Sequence, residues 1–322
     1  MEVPDFDLST NFGTCSSYSS FYKNNGFLKL SQKQRRQAFL ENQKERRHQL
    51  TDKNREQCEE FIKLLKTSIE DDLMECDSSG YSTRVKMKKF QLMLSEWLTE
   101  IPEDLDENWI VKFAPEGFRV LLVAHSRNTL CYNKNGRVVL KLRSNFPGGR
   151  NTEGKGLTVL DCIYNKTLKT IFVLDCLFWN AMSLLEAEVN FRFFWLKSKF
   201  EDNPELVLCS RYKFVLLESI PAQRPLIQDR MFSPFLVGDQ RLYIDGVVFY
   251  HKESHYVFGS TPLVAWLASY MLPEMLNIDV PCEDMARKPK GYICQQSYLI
   301  ELKSKRKKKT GMDILDAEME LQ

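Results

Sequence analysis

Between Trp109 and Leu267 the chain runs as a series of short apolar segments, each closed by turn residues. They read "WIVKFAPEG", "FRVLLVAHSRN", "RVVLKLRSNFPGGRN", "GLTVLDCIYN", "KTIFVLDCLFWN", "FRFFWLKSKF", "KFVLLESI" and "DGVVFYHKESHYVFG". Val, Ile, Leu and Phe dominate them, and Gly, Pro, Asn or Asp punctuate them. That pattern suits strands of a largely antiparallel sheet and leaves little room for long helices. The expected fold class is α+β, rich in antiparallel sheet. Helical turns are expected across it in 183–200 and 232–240, and "FPGG" (146–149) reads as a turn. The polar, basic sequence after Pro281 is expected to fray.

The sequence before this core has a different composition. Residues 1–30 are rich in Ser, Asn and Gly, with isolated apolar residues, and read as a flexible tail. From Ser31 to about Glu75, Gln, Arg, Lys, Glu, Leu and Ala predominate, without Gly or Pro, so a helix capped by Ser31 is expected. Ile62, Leu65, Ile69 and Leu73 continue it at helical spacing. "ECDSSGYSTR" (75–84) is a linker by composition. The domain expectation is a tail over 1–30, a basic helix over 31–75 and a linker over 76–88. A core over 89–285 and a basic C-terminal tail over 286–322 complete it.

Charge is concentrated rather than spread. Eight Lys/Arg lie between Ser31 and Arg55 against Glu41, Glu45 and Asp52, and "KSKRKKK" (303–309) adds a second block, although the formal net charge is only +2. Basic arms on a balanced body point to an acidic partner, nucleic acid or protein. The nine cysteines include no C-x-x-C pair, which argues for reduced thiols and against a zinc cage. No apolar run reaches the length of a membrane span and no secretory leader is evident, so a soluble, non-secreted protein is expected.

Chemistry is sparse. His251 and His255 stand four apart in strand-and-turn sequence without a carboxylate cluster and read as a polar surface pair rather than metal ligands. No phosphate-binding G-x-x-x-x-G-K-[ST] occurs. Asp161 and Asp175, ending similar runs, admit a capping or a functional role equally. Neither a metal, a cofactor nor a catalytic set is expected.

The order of several short motifs nevertheless resembles the covalent nucleotidyltransferases, the messenger-RNA guanylyltransferases and polynucleotide ligases. The look-alikes are "APEGFR" (114–119), "TVLDCIYN" (158–165), "FVLDCLFW" (172–179), "DGVVF" (245–249) and "LVAWL" (263–267). The resemblance places the nucleophilic lysine of those enzymes at Ala114, a glutamate at Ile163 and two phosphate-handling lysines at Ala265 and Leu267. A chain lacking these groups keeps a nucleotide-shaped pocket with little to catalyse with. The competing enzymatic expectation is a transferase using a displaced lysine, Lys112 or Lys134. A general RNA-binding protein acting through its basic arms is a third.

A closer resemblance, over roughly 31–290, is to the snurportin family, the import adaptors of spliceosomal small nuclear ribonucleoproteins. It rests on "QLMLSEWLTEIPEDL" (91–105), "TVLDCIYN", "NFRFFW" (190–195) and "DGVVFYHKESHYVFGSTPLVAWL" (245–267). It implies a pocket for the 2,2,7-trimethylguanosine cap of U snRNA, with the base stacked on Trp266 and Leu94, Ser95 and Trp97 closing on the methylated edge. Phe118, Arg119, Val120 and Lys134 are the further contacts implied, Arg119 and Lys134 toward the triphosphate. In an arbitrary protein a Trp at 97 or 266 would be core more often than platform. "QKQRRQAFLENQKERR" (32–47) resembles the family's importin-β-binding segment, which implies Lys33, Arg35, Arg36, Lys44, Arg46, Arg47 and Arg55 as its contacts. Met1, Leu8 and Phe12 resemble anchors for an export receptor, with Pro4 and Thr14 departing from the pattern. The resemblance implies a non-enzymatic adaptor that shuttles between cytoplasm and nucleus, binding neither DNA nor a membrane.

Overall fold

A computed structural model describes residues 31–47, 56–63, 92–149, 156–207, 211–233 and 235–304, the side chains of 45–47 excepted. They fall into two compact units, Phe39–Lys288 and the described parts of Met1–Ala38 with Pro289–Gln322. In chain order the elements begin with α1 (Gln32–Arg47), α2 (56–63), β1 (Met93–Trp97), α3 (Leu105–Asn108), β2 (Trp109–Pro115), β3 (Phe118–His125), β4 (Asn128–Asn133) and β5 (Val138–Leu142). Next come β6 (Leu157–Asn165), β7 (Thr170–Trp179), β8 (Met182–Ser183), α4 (Val189–Asp202), β9 (Lys213–Leu216), β10 (Ser219–Pro221) and α5 (Arg224–Phe232). The series closes with β11 (Leu236–Val237), β12 (Gln240–Arg241), β13 (Ile244–His251), β14 (Gly259–Ala268), α6 (Leu272–Leu276), α7 (Cys282–Met285) and α8 (295–304).

The larger unit is built on two sheets, which makes it α+β with predominantly antiparallel strands. One has the order β1-β14-β13-β2-β10, antiparallel except where β1 runs parallel to β14. The other has the order β5-β4-β3-β6-β7-β8, antiparallel, with β9 added parallel to β7. Alternation along β3 explains the layering. Leu121 and Val123 face an inner core shared with Ile110, Ala114, Val248 and Val264 of the first sheet. Val120 and Leu122 face an outer core with Phe146 and the α4 residues Leu196 and Phe200. The central strands β6 and β7 are therefore covered on both sides, which is why their sequences are nearly continuous apolar runs.

Two charges interrupt those runs. Asp161 and Asp175 are fully buried and paired in register across β6 and β7, between two bulges. They are mid-strand residues, not caps, and each has its own arginine. Arg192 of α4, fully buried, grips Asp175 through Nε and Nη2, both at 2.9 Å, and donates from Nη1 to the carbonyl of Ser254. Arg119 holds Asp161 in the same bidentate way. Lys112 on β2 is buried beside them, donating to the Leu174 carbonyl at 2.6 Å beneath the Phe193 ring. Burial brings its pKa down to about 7, with Asp175 pulling it upward.

Several expectations are corrected. Residues 183–200 do carry a helix, α4, but 236–241 form the β11–β12 hairpin, turning at Gly238 with φ +63°. The segment after Pro281 carries α7 and α8. His251 and His255 are buried rather than on the surface, 3.7 Å from Asp104 and 3.2 Å from Glu186 respectively. Ser31 does cap α1: its Oγ accepts from the Gln34 amide, while Gln34 Oε1 accepts from the Ser31 amide. Further along α1, Gln43 Oε1 accepts from the His255 amide and its Nε2 donates to the Glu253 carbonyl. Phe61 of α2 is fully buried in the inner core, 5.0 Å from the Phe178 ring, so 56–63 belongs to the body rather than to a separate basic arm. The expected continuation over 64–75 lies outside the described residues, as do 1–30.

Two outcomes follow for stability. Arg192→Ala leaves the Asp175 carboxylate buried without its partner and should cost about 3–5 kcal/mol in urea unfolding, with Asp175→Ala non-additive on the same background. A loss under about 1 kcal/mol would remove the pair from the core's essentials. For Lys112 the folded pKa lies below the ordinary 10.5, so the unfolded chain binds the extra proton between about pH 7 and 10.5. Stability of the wild type should therefore rise with pH across that window by a few kcal/mol relative to Lys112→Met. Parallel stability-versus-pH curves would contradict a neutral buried amine.

Candidate functional site

The site grows from the pairing of β1 with β14. The register runs Met93↔Gly259, Leu94↔Ser260 and Ser95↔Thr261, then jumps to Glu96↔Ala265 and Trp97↔Trp266. Pro262 lies in the stretch of β14 that is skipped, and it has no N–H to give a ladder. The jump brings Trp97 level with Trp266, and the Leu98 amide donates to the Trp266 carbonyl at 3.0 Å. Register partners on neighbouring strands, about 4.8 Å apart, project to the same face. Trp97 and Trp266 thus belong to the same face at the same level, and both are only partly buried.

Gly246 on β13 sets how the Trp266 ring lies. A Cβ there would fall 2.6 Å from Cζ2 and 2.7 Å from Cη2 of Trp266, and 2.2 Å from the Leu267 carbonyl oxygen. The bare backbone therefore receives the benzo edge of the indole, and the ring rests on the sheet while packing against the inner core. Ala265 and Leu267, alternating with Trp266, are fully buried. Leu94 is exposed and Ser95 half-buried on β1.

The cationic side of the site is β3. Arg119 donates to Asp161 from Nε at 2.5 Å and Nη2 at 2.7 Å, and its side chain keeps 26% exposure. Burial works against the guanidinium's charge, but Asp161 outweighs it and raises the pKa. The pair occupies two of five N–H donors. Asp161 also accepts from the Tyr256 hydroxyl at 2.7 Å, and that hydroxyl accepts from the Met93 amide at 3.1 Å. One buried carboxylate therefore ties Arg119 to the start of β1. Tyr256 carried no signal in the sequence; Asp161 did, but its partners are remote in the chain.

The other expected contacts are not all brought together. Phe118 is 67% exposed. Phe118 and Val120 alternate with Arg119, and Val120 is buried in the outer core, on the opposite face from the guanidinium. Lys134 is exposed on the turn after β4. That turn is held by Asn133, whose Oδ1 accepts from the Asn135 and Arg137 amides. Of the two lysines considered as displaced nucleophiles, Lys112 is sealed in the core and Lys134 stands in solvent. Arg287, which sequence reading passed over, bridges Glu116 at 2.8 Å and Asp245 at 3.1 Å, the acidic residues of "APEGFR" and "DGVVF". Burial raises the Asp245 pKa, with Arg287 opposing. Among the described residues no cluster of His, Cys, Asp and Glu could hold a metal.

On α1, Lys33 and Lys44 are exposed, Lys44 lying 3.8 Å from Glu253, whereas Arg35 and Arg36 are buried. Arg46 and Arg47 belong to the helix, their side chains outside the described set, as are Arg55, Met1, Leu8 and Phe12.

Among solved structures, the chain is similar to the ligase domain of M. tuberculosis LigD, at 14% identity and a TM-score of 0.39, over 56% of this chain and 59% of that one. It is similar at 15% identity and a TM-score of 0.38 to mycobacterial DNA ligase D complexed with ATP, over 55% of this chain and 59% of that one. A third is the Chlorella virus DNA ligase–adenylate, at 12% identity and a TM-score of 0.37, over 56% and 69%. The chain thus spans about 59% of the length of the first two. Residues 91–269, more than half of the chain, match the family model described as the Snurportin1 m3G cap-binding domain, and 19–56 match a second Snurportin1 model. The chain belongs to the snurportin family.

Proposed function

We propose that this protein is a non-enzymatic adaptor that binds the 2,2,7-trimethylguanosine cap of U snRNA and links the capped particle to import through importin-β. The observation that carries the reading is the register pair Trp97–Trp266, with the Trp266 ring laid over Gly246. A guanine methylated at N7 is cationic, so an indole face offers it stacking area and cation–π attraction together. Base–aromatic stacking is worth about 1–3 kcal/mol. The two extra methyl groups at N2 remove hydrogen-bond donors, which an aromatic neighbour such as Trp97, with Leu94 and Ser95, tolerates better than a polar one.

Arg119 serves the triphosphate in this reading with the donors that Asp161 leaves, and Lys134 as an outer charge. Val120 contributes through the sheet rather than by contact, because its side chain lies in the outer core. Phe118 offers an exposed ring at the start of β3, on the face of Val120 rather than of Arg119. The absence of reactive lysine at Ala114, Ala265 and Leu267 supports binding over transfer, and so does the enclosure of Lys112. The basic helix supplies the transport half. Lys33 and Lys44 are presented outward, and engagement of Arg35 and Arg36 by an acidic receptor requires them to leave their buried positions. Met1, Leu8 and Phe12 are retained as anchors for an export receptor, which together with the import helix gives shuttling between cytoplasm and nucleus.

Quenching of tryptophan fluorescence by cap analogues tests the pocket. The wild type should bind the trimethylated analogue more tightly than the monomethylated one. Trp266→Ala should weaken it about 10- to 100-fold, the loss of one stacking surface. Gly246→Ala, which displaces the indole, should weaken cap binding with a smaller effect on receptor binding by α1. No quenching, or equal affinity for the two caps, would defeat the reading; an acid-labile lysyl–nucleotide adduct formed with labelled GTP and divalent metal would favour a transferase. Uncapped RNA that competes as well as capped RNA would point to a general RNA-binding protein. Binding of importin-β should fall steeply with salt and further with charge reversal at Lys33 and Lys44.

A further inference from the structure

From Gly117 to Thr152 the chain has no Asp or Glu and seven Lys or Arg. The structure folds most of this stretch into β3, β4 and β5 with their turns, which form one margin of the seven-stranded sheet, β5 being its edge strand. Arg119 is committed to Asp161. Lys134, Arg137 and Lys141 are in no ion pair among the described residues.

Their placement follows from the register. Leu121 pairs with Tyr132, and Tyr132 with Val138; Val123 pairs with Leu130, and Leu130 with Lys141. Lys141 therefore shares the face of Leu121 and Val123, the face to which Arg119 also belongs by alternation. Lys134 and Arg137 flank a turn fixed by Asn133 and by Gly136 at φ +74°, one step beyond the Val120–Asn133 pair. Cations thus run from Arg119 across the turn and on along the edge, over roughly 16 Å by strand geometry. Exposed Val138 and Val139 lie among them.

Lysines on an edge strand also guard against strand addition. Guarding accepts charges of either sign, and it does not require an acid-free stretch running through three strands and two turns. We infer that the margin beyond Lys134, at Arg137 and Lys141, receives the phosphates of the RNA that follows the cap, as a second, sequence-independent contact. The inference rests on the cap-binding reading above. A single strand neutralised at each of these cations releases counterions, so each contact adds about 0.7 to the salt slope of binding.

The test compares two ligands on full-length protein: the trimethylated cap dinucleotide, and a short single-stranded RNA bearing the same cap. The wild type should bind the capped RNA several-fold more tightly at low salt, with a steeper salt slope. Arg137→Gln with Lys141→Gln, both at the sheet margin, should lose most of that advantage and about 1.4 of the slope. Dinucleotide affinity should not change. Equal affinity and slope for both ligands in the wild type, or capped RNA bound as well by the variant, overturns the inference while cap recognition stands. A variant that keeps RNA binding but loses an acidic protein partner also overturns it, making the margin a protein surface. Failure of the wild type to bind the dinucleotide would remove the underlying reading and this inference together.

Discussion

Two carboxylates facing each other across β6 and β7 in an apolar core are the constraint around which this domain is arranged. Taken alone, Asp161 and Asp175 would repel, and each would be costly to bury without a partner. Each is instead answered by a bidentate arginine, and the two arginines come from different places: Arg119 from β3, Arg192 from α4. The same groups then reach further. Arg192 fixes the carbonyl of Ser254 in the turn before β14, and Asp161 receives Tyr256, which holds the amide at the start of β1. The edge strand carrying Trp97 and the Arg119 guanidinium are thus cross-linked through one buried oxygen. Solvation of the carboxylates and geometry of the site are the same problem, solved once.

Much of the architecture was legible because it depends on local pattern. Short apolar runs closed by turn residues located β2, β3, β5, β6, β7, β9 and β13, but they passed over β1 and β4 and counted the α4 run "FRFFWLKSKF" among the strands. Ser31 announced the start of α1. What misled was tertiary. The polar run at 236–241 contains Gly238, which turns a hairpin where helical turns were expected. His251 and His255 looked like surface residues because the groups that cover and satisfy them, Asp104 and Glu186, lie far away in sequence. The two Asp residues were visible as a repeated "VLDC", but locally a capping and a functional role were equivalent, and nothing nearby names their arginines.

For the site, periodicity would have left Trp266 in the core, and only family resemblance moved it to a surface. The geometry refines that position in ways no spacing encodes. Pro262 and the skipped stretch of β14 decide that Trp97, and not a neighbour, stands level with it. Gly246, read in the sequence merely as part of a motif, works as the absence of a side chain on which the ring can lie. Val120 illustrates the opposite case: the family resemblance implied a contact, while alternation turns its side chain to the outer core.

The parallel pairing of β1 with β14 has a consequence for how the protein comes into being. Among the described residues β1 is an edge strand whose one neighbour in its sheet is β14. On a translating ribosome Trp97 emerges roughly 170 residues before Trp266, which at ordinary elongation rates is on the order of ten to thirty seconds. Throughout that interval β1 has no strand to join. Chains terminated before β14 lack the partner altogether, so the face that carries Trp97 and Trp266 together exists only in molecules whose synthesis has passed β14.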